Sequence, residues 1–111
     1  MDCKLYNGDC NTVLQQLVNE GIKVDAIICD PPYMINYDTW DDAFDLETIV
    51  VYMQKLLKEN GNLILFQGWS NVCKTKELLD KYFTIQNWIV WDRIKGRGAK
   101  KNLVSTREDI L

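Results

Sequence analysis

The residues of this chain best suited to chemistry form one short stretch, Asp30-Pro31-Pro32-Tyr33. They follow an apolar run, Val24–Cys29, whose nearly continuous hydrophobic character predicts a parallel strand buried on both faces. In open α/β sheets, ligands bind just beyond the carboxyl ends of the strands. A carboxylate, two rigid prolines and an aromatic ring at such a strand end are suited to gripping a planar amino group.

This stretch contains groups that can activate the exocyclic amine of adenine or cytosine, which is a poor nucleophile because its lone pair is delocalised into the ring. The Asp30 carboxylate and the Pro31 carbonyl can accept the two amine hydrogens and draw the nitrogen towards tetrahedral geometry. Tyr33 can stack on the base, which is worth about 1–3 kcal/mol and helps offset the few kcal/mol needed to flip a base out of a duplex. The same residues also fit a tight Pro-Pro turn with Asp30 as its capping side chain.

The elements that must position this stretch alternate between strand-like and helix-like patterns. The first half is predicted to contain a strand at 4–6, a helix from Asn11 or Thr12 to Gly21, the strand Val24–Cys29 and a helix from Asp45 to Asn60-Gly61. The second half is predicted to contain a strand at 62–66, a helix from Ser70 to Tyr82 and a strand at 86–92. A basic loop at 94–102 and a further strand starting at 108 follow. This alternation predicts an α/β fold with a Rossmann-like sheet and right-handed crossovers.

Composition limits the chemistry available to this chain. Its 111 residues form at most one domain. It has no histidine, and none of its four cysteines forms a CxxC pair, so we expect no metal site and no Ser-His-Asp or Cys-His mechanism. No stretch reaches the roughly 18 apolar residues of a membrane helix, and no secretory signal opens the chain. We therefore expect a protein of the reducing cytoplasm with no membrane partner.

Charge is distributed unevenly along the chain. Residues 1–60 carry a net charge of −7, whereas residues 61–111 carry +4. Four basic residues cluster in the predicted loop at 94–102: Lys95, Arg97, Lys100 and Lys101. The cluster predicts non-specific contact with nucleic-acid phosphates, although an ordinary solvated loop would have the same composition.

Four segments together resemble a known family: residues 5–10 (Leu-Tyr-Asn-Gly-Asp-Cys), 24–33, 61–66 (Gly-Asn-Leu-Ile-Leu-Phe) and 88–92 (Trp-Ile-Val-Trp-Asp). They resemble the opening half of S-adenosylmethionine-dependent DNA amino-methyltransferases. They are most similar to the permuted β class, in which the catalytic tetrapeptide precedes the cofactor-binding glycine motif. The resemblance implies a class I methyltransferase sheet, S-adenosylmethionine as cofactor and DNA as partner.

The resemblance also implies roles for individual residues. Asp30, Pro31, Pro32 and Tyr33 would be catalytic. An aspartate at the first position goes mostly with adenine N6 and a serine more often with cytosine N4, so Asp30 favours adenine. Cytosine N4, RNA and protein amides stay open as alternative substrates.

The same resemblance implies a place near the cofactor for Asp9 and Asp30, and position near the tetrapeptide suggests roles for three aromatic residues. Asp9, in a short Gly-Asp element, would join Asp30 beside the cofactor, or it would simply cap the next helix. Tyr37 and Trp40 would line the pocket of a flipped base or pack on the sheet edge. Trp69 would wall the pocket if the strands at 24–29 and 62–66 pair in parallel.

The glycine-rich Phe-x-Gly-x-Gly segment of the family is missing, and no apolar strand runs into Gly96-Arg97-Gly98. We therefore expect an incomplete, mostly parallel sheet. Residues 1–111 would be the catalytic half of a methyltransferase domain, without the cofactor glycine motif and the target-recognition region. Such a half would bind S-adenosylmethionine weakly or not at all alone, and would need a second polypeptide segment carrying the cofactor half. Its bare sheet edge would favour self-association. The alternative is a catalytically dead nucleic-acid-binding or partner-binding remnant.

Overall fold

The computed structural model describes residues 2–32, 45–97 and 105–111, which form three helices and four strands. The helices are α1 (Cys10–Asn19), α2 (Leu46–Leu56) and α3 (Val72–Asp80). The strands are β1 (Val24–Cys29), β2 (Leu57–Gln67), β3 (Ile89–Arg97) and β4 (Ser105–Ile110). No helix among these residues is long and apolar enough to cross a membrane.

The four strands form one sheet in the order β1-β2-β4-β3. β1 pairs with β2 in parallel, and β4 runs antiparallel to both β2 and β3. Three of the four described strands therefore point the same way, which confirms the predicted incomplete Rossmann-like α/β sheet. The predicted strand at 4–6 is wrong: residues 2–7 form no regular structure, and Leu5 is 94 % exposed because no described strand pairs with it.

Aspartates begin the first two helices. The Asp9 carboxylate accepts a hydrogen bond from the Asn11 backbone N–H (2.9 Å), so the cap of α1 lies two or three residues before the start predicted at Asn11 or Thr12. At α2, the Asp45 carboxylate accepts from the Glu47 backbone N–H (3.1 Å) and from the Thr48 hydroxyl (2.7 Å). These hydrogen bonds satisfy N–H groups that have no partner inside the helix.

The end of α2 differs from the prediction, because β2 begins at Leu57 directly after the helix. Leu57 lies opposite Val24, and the register then shifts so that Asn62 lies opposite Ala26. Residues 58–61 form the bulge that this shift requires. β1 and the bulge approach each other closely at Gly61. A Cβ added there would lie 2.8 Å from Leu57 Cδ2 and 3.1 Å from the Asp25 carbonyl oxygen.

The core lies between the sheet and two helices. Leu46 and Val50 of α2 and Leu79 of α3 pack on Leu65 of β2, and all four are buried. The Tyr82 hydroxyl after α3 donates to the Glu47 carboxylate of α2 (2.8 Å), which ties the two helices together. α1 lies against α2.

The opposite face of the sheet is apolar and exposed. Side chains alternate along a strand, so Ile64 and Phe66 point away from the face that carries Leu65. Cross-strand register places Ile28 beside Ile64, and Ile110 between Phe66 and Ile89. The Trp91 ring meets the Phe66 ring edge-on, with centroids 6.4 Å apart. We call these six residues the open face: Ile28, Ile64, Phe66, Ile89, Trp91 and Ile110.

Candidate active site

The Asp30-Pro31-Pro32 stretch lies at the carboxyl end of β1, as predicted. Cys29 is opposite Leu65 in the parallel ladder, so Asp30 and Pro31 follow beside Phe66 and Gln67 at the carboxyl end of β2. Pro31 is buried, Pro32 is half-buried and Asp30 is exposed. The sheet therefore holds the prolines in place while the carboxylate stays accessible.

A cavity of about 360 Å³ adjoins these residues. Its lining includes Asp30, Pro31 and Pro32 after β1, together with Tyr6, Gly8 and Cys10 from the start of the chain. Ile49 and Met53 of α2 add apolar walls. The cavity is thus mostly apolar, with the carboxylate of Asp30 among its few charged groups.

Asp9 lies at the edge of this cavity, between the lining residues Gly8 and Cys10. Its carboxylate caps α1, so the capping role expected from the sequence is confirmed. A role of Asp9 in cofactor binding stays a prediction.

Two thiols face the cavity, those of Cys10 and Cys29. Burial raises the pKa of the Cys29 thiol to about 11, and the negative charge of Asp30 adds to the effect. Burial, followed by the charge of Asp9, also raises the pKa of Cys10. Both thiols therefore stay protonated and weakly nucleophilic at neutral pH. Across the described ranges, no group of three or more His, Cys, Asp or Glu side chains could hold a metal ion.

Sequence reasoning missed Gln67, a fully buried amide at the carboxyl end of β2. Its Nε2 donates to the Thr75 hydroxyl (2.9 Å), and its Oε1 accepts from the Gly68 backbone N–H (3.0 Å). A polar residue directly after the apolar run 63–66 was the available signal. Trp69 follows on the same sheet edge, 58 % exposed. β1 and β2 do pair in parallel, as the predicted pocket role of Trp69 requires.

The remaining predicted site residues are placed only in part. Tyr33, Tyr37, Trp40, Lys100 and Lys101 lie outside the described residues. Lys95 and Arg97 belong to β3 rather than to a loop, because β3 continues to Arg97, which lies opposite Ser105 of β4. β3 points the same way as β1 and extends beyond the level of Gln67, so the backbone of both positions lies towards the Asp30 end of the sheet.

A family model described as DNA methylase, N6_N4_Mtase, matches residues 24–111. The chain belongs to this family. The match confirms the resemblance to DNA amino-methyltransferases, and it includes Asp30, Pro31 and Pro32.

Several curated relatives match nearly the whole chain. The type II methyltransferase M1.MboII of Moraxella bovis is 29 % identical over 97 % of the chain and 44 % of the relative. The DNA adenine methyltransferase YhdJ of Escherichia coli is 29 % identical, with 96 % and 39 % covered. The type II methyltransferase M.HpaI of Haemophilus parainfluenzae is 27 % identical, with 92 % and 36 % covered. The chain thus spans less than half the length of these relatives.

Solved structures confirm the methyltransferase fold. An M1.HpyAVI–SAM complex superposes with a TM-score of 0.76 at 23 % identity, covering 96 % of this chain and 50 % of that one. M1.HpyAVI alone gives a TM-score of 0.71 at 25 % identity, with 95 % and 51 % covered. In both cases the shared part is one half of a larger protein.

Proposed function

We propose that residues 1–111 are the catalytic half of an S-adenosylmethionine-dependent DNA methyltransferase that modifies N6 of an adenine flipped out of its duplex. The main observation is the position of Asp30 and Pro31 at the carboxyl end of β1, beside a mostly apolar cavity. Membership of the DNA methylase family supports the same reaction class.

The chain's own groups hold and polarise the amine. The Asp30 carboxylate accepts one amine hydrogen and the Pro31 carbonyl accepts the other, which directs the nitrogen lone pair towards the methyl group. S-adenosylmethionine, when bound, supplies an electrophilic methyl group on a positively charged sulfur. As the N–C bond forms and the C–S bond breaks, the surplus amine proton leaves through the carboxylate or solvent. The chain therefore contributes to catalysis by positioning the amine and by polarising it through hydrogen bonds.

The cavity fits part of this cofactor. The neutral thiols of Cys10 and Cys29 and the apolar side chains of α2 suit its uncharged groups, and Asp30 provides a negative charge for the sulfonium. Asp9 is the second carboxylate close to the cavity. β1 is an edge strand of the described sheet, so a further strand could pair with it beside the cofactor site.

We infer that a second polypeptide segment carrying the cofactor half completes the site. It would add a strand beside β1 and helices over the open face, because sheets with parallel strands are stable when both faces are covered. The relatives, more than twice as long as this chain, support such a segment. Without it, the same surfaces would favour self-association.

Cytosine N4 is the alternative target, because the same acceptors fit its amine. A remnant that binds a partner without catalysis is the alternative outside the enzyme class. Duplex DNA is the proposed substrate. The backbone positions of Lys95 and Arg97 lie at the same end of the sheet as Asp30, and basic residues there support binding of a nucleic acid.

Methyl transfer tests this function. The chain, alone and together with the polypeptide from its source that carries a Phe-x-Gly-x-Gly segment, is incubated with labelled S-adenosylmethionine and unmethylated duplex DNA. We expect N6-methyladenine in the DNA only when both polypeptides are present, and calorimetry should show little binding of the cofactor to the chain alone. N4-methylcytosine would establish the alternative enzyme, and the absence of any methylated base would favour the remnant.

Two aspartates near the opposite ends of β1 provide the matched variants. Asp30→Ala should abolish transfer because the amine loses its carboxylate acceptor. Asp25→Ala should leave transfer unchanged, since Asp25 lies at the other end of β1 and its carboxylate forms an exposed ion pair with Lys58 (2.9 Å). Equal activity of the two variants would contradict the proposed role of Asp30.

A further inference from the structure

We propose that Trp69 is a nucleobase-stacking residue beside the Asp30 site, and that Gln67 is the residue that positions it. This inference rests on the proposed function, because it assumes that a base is presented to this sheet edge. It assigns base stacking to a residue outside the tetrapeptide, in addition to Tyr33.

The first argument is the place of Trp69 in the sheet. Parallel strands lie about 4.8 Å apart, and β1 and β2 end at the same edge, with Asp30 following beside Phe66. Trp69 follows Phe66 by three residues, in the turn directly after β2. Trp69 therefore lies at the same edge of the sheet as Asp30, just outside the residues that line the cavity.

The second argument is the bracing of the turn that carries Trp69. The Asn71 backbone N–H donates to the Gly68 carbonyl (3.1 Å), which closes a β-turn over residues 68–71. The buried Gln67 amide binds the Gly68 N–H on one side and the Thr75 hydroxyl of α3 on the other. Such buried polar groups are costly to leave unpaired, so this amide fixes the turn between β2 and α3.

The third argument compares Trp69 with the other described tryptophans. The Trp88 indole donates to the buried Asp109 carboxylate (2.9 Å), and Trp91 packs against Phe66. Within the described part of the chain, Trp69 has neither a hydrogen bond nor a ring contact, yet its backbone is braced. An exposed indole on a braced backbone loses less conformational entropy on binding than one on a flexible loop, and every base offers it a π face.

Oligonucleotide binding without cofactor tests this inference. The full chain is titrated with a fluorescent single-stranded oligodeoxyadenylate and with an abasic oligonucleotide of equal length, which keeps the phosphates and lacks the bases. Trp69→Ala should weaken binding of the oligodeoxyadenylate about tenfold and leave the abasic strand unchanged, whereas Trp69→Phe should stay within about threefold of wild type. Trp91→Ala, which removes a similarly exposed indole from the open face, is the matched control and should not alter the preference for bases.

Non-additivity tests the positioning role of Gln67. Gln67→Met keeps the volume and removes both hydrogen bonds, and Thr75→Val removes one of them if the first variant folds poorly. Each should weaken oligodeoxyadenylate binding in the wild-type background, but in a Trp69→Ala chain neither should cause any loss beyond that of Trp69→Ala alone. Additive losses would overturn the role of Gln67.

Equal losses on the two strands, no loss with Trp69→Ala, or no binding of either strand would overturn the stacking role. Methyl transfer in the separate Asp30 assay is read independently. If methyl transfer is observed but Trp69→Ala binds the oligodeoxyadenylate as wild type does, this inference alone is overturned. If Trp69→Ala selectively loses binding of the strand with bases but no methyl transfer is observed, the proposed function alone is overturned.

Discussion

At the scale of single residues, Asp30 affects its neighbour as well as a bound amine. Its negative charge is the second cause, after burial, of the raised pKa of Cys29. Both side chains line the same cavity. The reactivity of the Cys29 thiol therefore reports on the charge of Asp30 in the folded chain.

Alkylation of Cys29 should follow a shifted pH profile. A thiol reacts as its thiolate, so the rate with iodoacetamide should rise about tenfold per pH unit and level off only near pH 11, in place of the usual 9.0. Asp30→Asn removes the charge without changing the size, so the pKa should fall and Cys29 should react faster at pH 9. Mass spectrometry resolves each cysteine. An identical profile in Asp30→Asn would contradict the electrostatic coupling.

The residue scale also shows what sequence reasoning could and could not predict. The position of Asp30 followed from the apolar run before it, because that run predicted a strand and therefore its carboxyl end. The predicted burial of this strand on both faces is wrong, since β1 is an edge strand of the described sheet and Ile28 is 72 % exposed. The bracing by Gln67 could not be predicted, since its partner Thr75 is eight residues away and on another element. The contribution of Cys10 to the cavity depends on how α1 lies against α2, which a single sequence does not specify.

At the scale of elements, caps and close approaches decide where helices and strands begin and end. The helix pattern of residues 46–60 continues past Leu56, yet β2 begins at Leu57. Pairing of Leu57 with Val24 therefore overrides local helix preference. Likewise, pairing with β4 extends β3 to Arg97 through a stretch that reads as a loop.

Gly61→Ala should destabilise the pairing of β1 with β2. The new Cβ would approach the Lys58 carbonyl oxygen at 3.0 Å and the Asp25 carbonyl oxygen at 3.1 Å, and backbone atoms cannot move aside without disturbing the ladder. We expect a loss of about 1–3 kcal/mol in the free energy of unfolding, measured with denaturant. Gly8→Ala is the control, because its Cβ would meet Val13 at an ordinary 3.5 Å. Equal stability of the two variants would contradict the close approach.

Removal of the α2 cap should cost stability and change its pH dependence. Asp45→Ala loses the hydrogen bonds to Glu47 and Thr48, which we expect to cost about 1 kcal/mol. The hydrogen bonds from Thr48 lower the pKa of Asp45. This contribution is therefore present above the pKa of the unfolded chain and is lost as the pH falls through the lower folded value.

Denaturation curves between pH 2 and 7 check this prediction. Wild type should lose more stability than Asp45→Ala as the medium becomes acidic. Asp45→Asn keeps a capping oxygen without the charge and should lie between them at neutral pH. Parallel pH profiles of wild type and Asp45→Ala would show that the cap contributes nothing through ionisation.

At the scale of the whole molecule, the two faces of the sheet differ. α2 and α3 cover the face that carries Leu65, which is fully buried. The open face presents Ile28, 72 % exposed, and Trp91, 51 % exposed, across the full width of the described sheet. A contiguous apolar surface of this kind marks an interaction site, and it continues into the edge of β1, where the second segment is proposed to bind.

Substitutions on the two faces should therefore have opposite consequences. Leu65→Ala should cost about 2–5 kcal/mol, because it opens a void in the core. Ile64→Lys, on the neighbouring residue but the open face, should change stability by no more than about 0.5 kcal/mol. The same lysine should lower both the binding of a hydrophobic dye and the concentration-dependent association seen by sedimentation velocity. It should also block methyl transfer when the cofactor-bearing polypeptide is added, because a charge would be buried beneath its helices. If Ile64→Lys destabilises the chain as much as Leu65→Ala does, the open face is already covered within the chain itself. If the Ile64→Lys variant supports normal methyl transfer, the second segment binds elsewhere on the molecule.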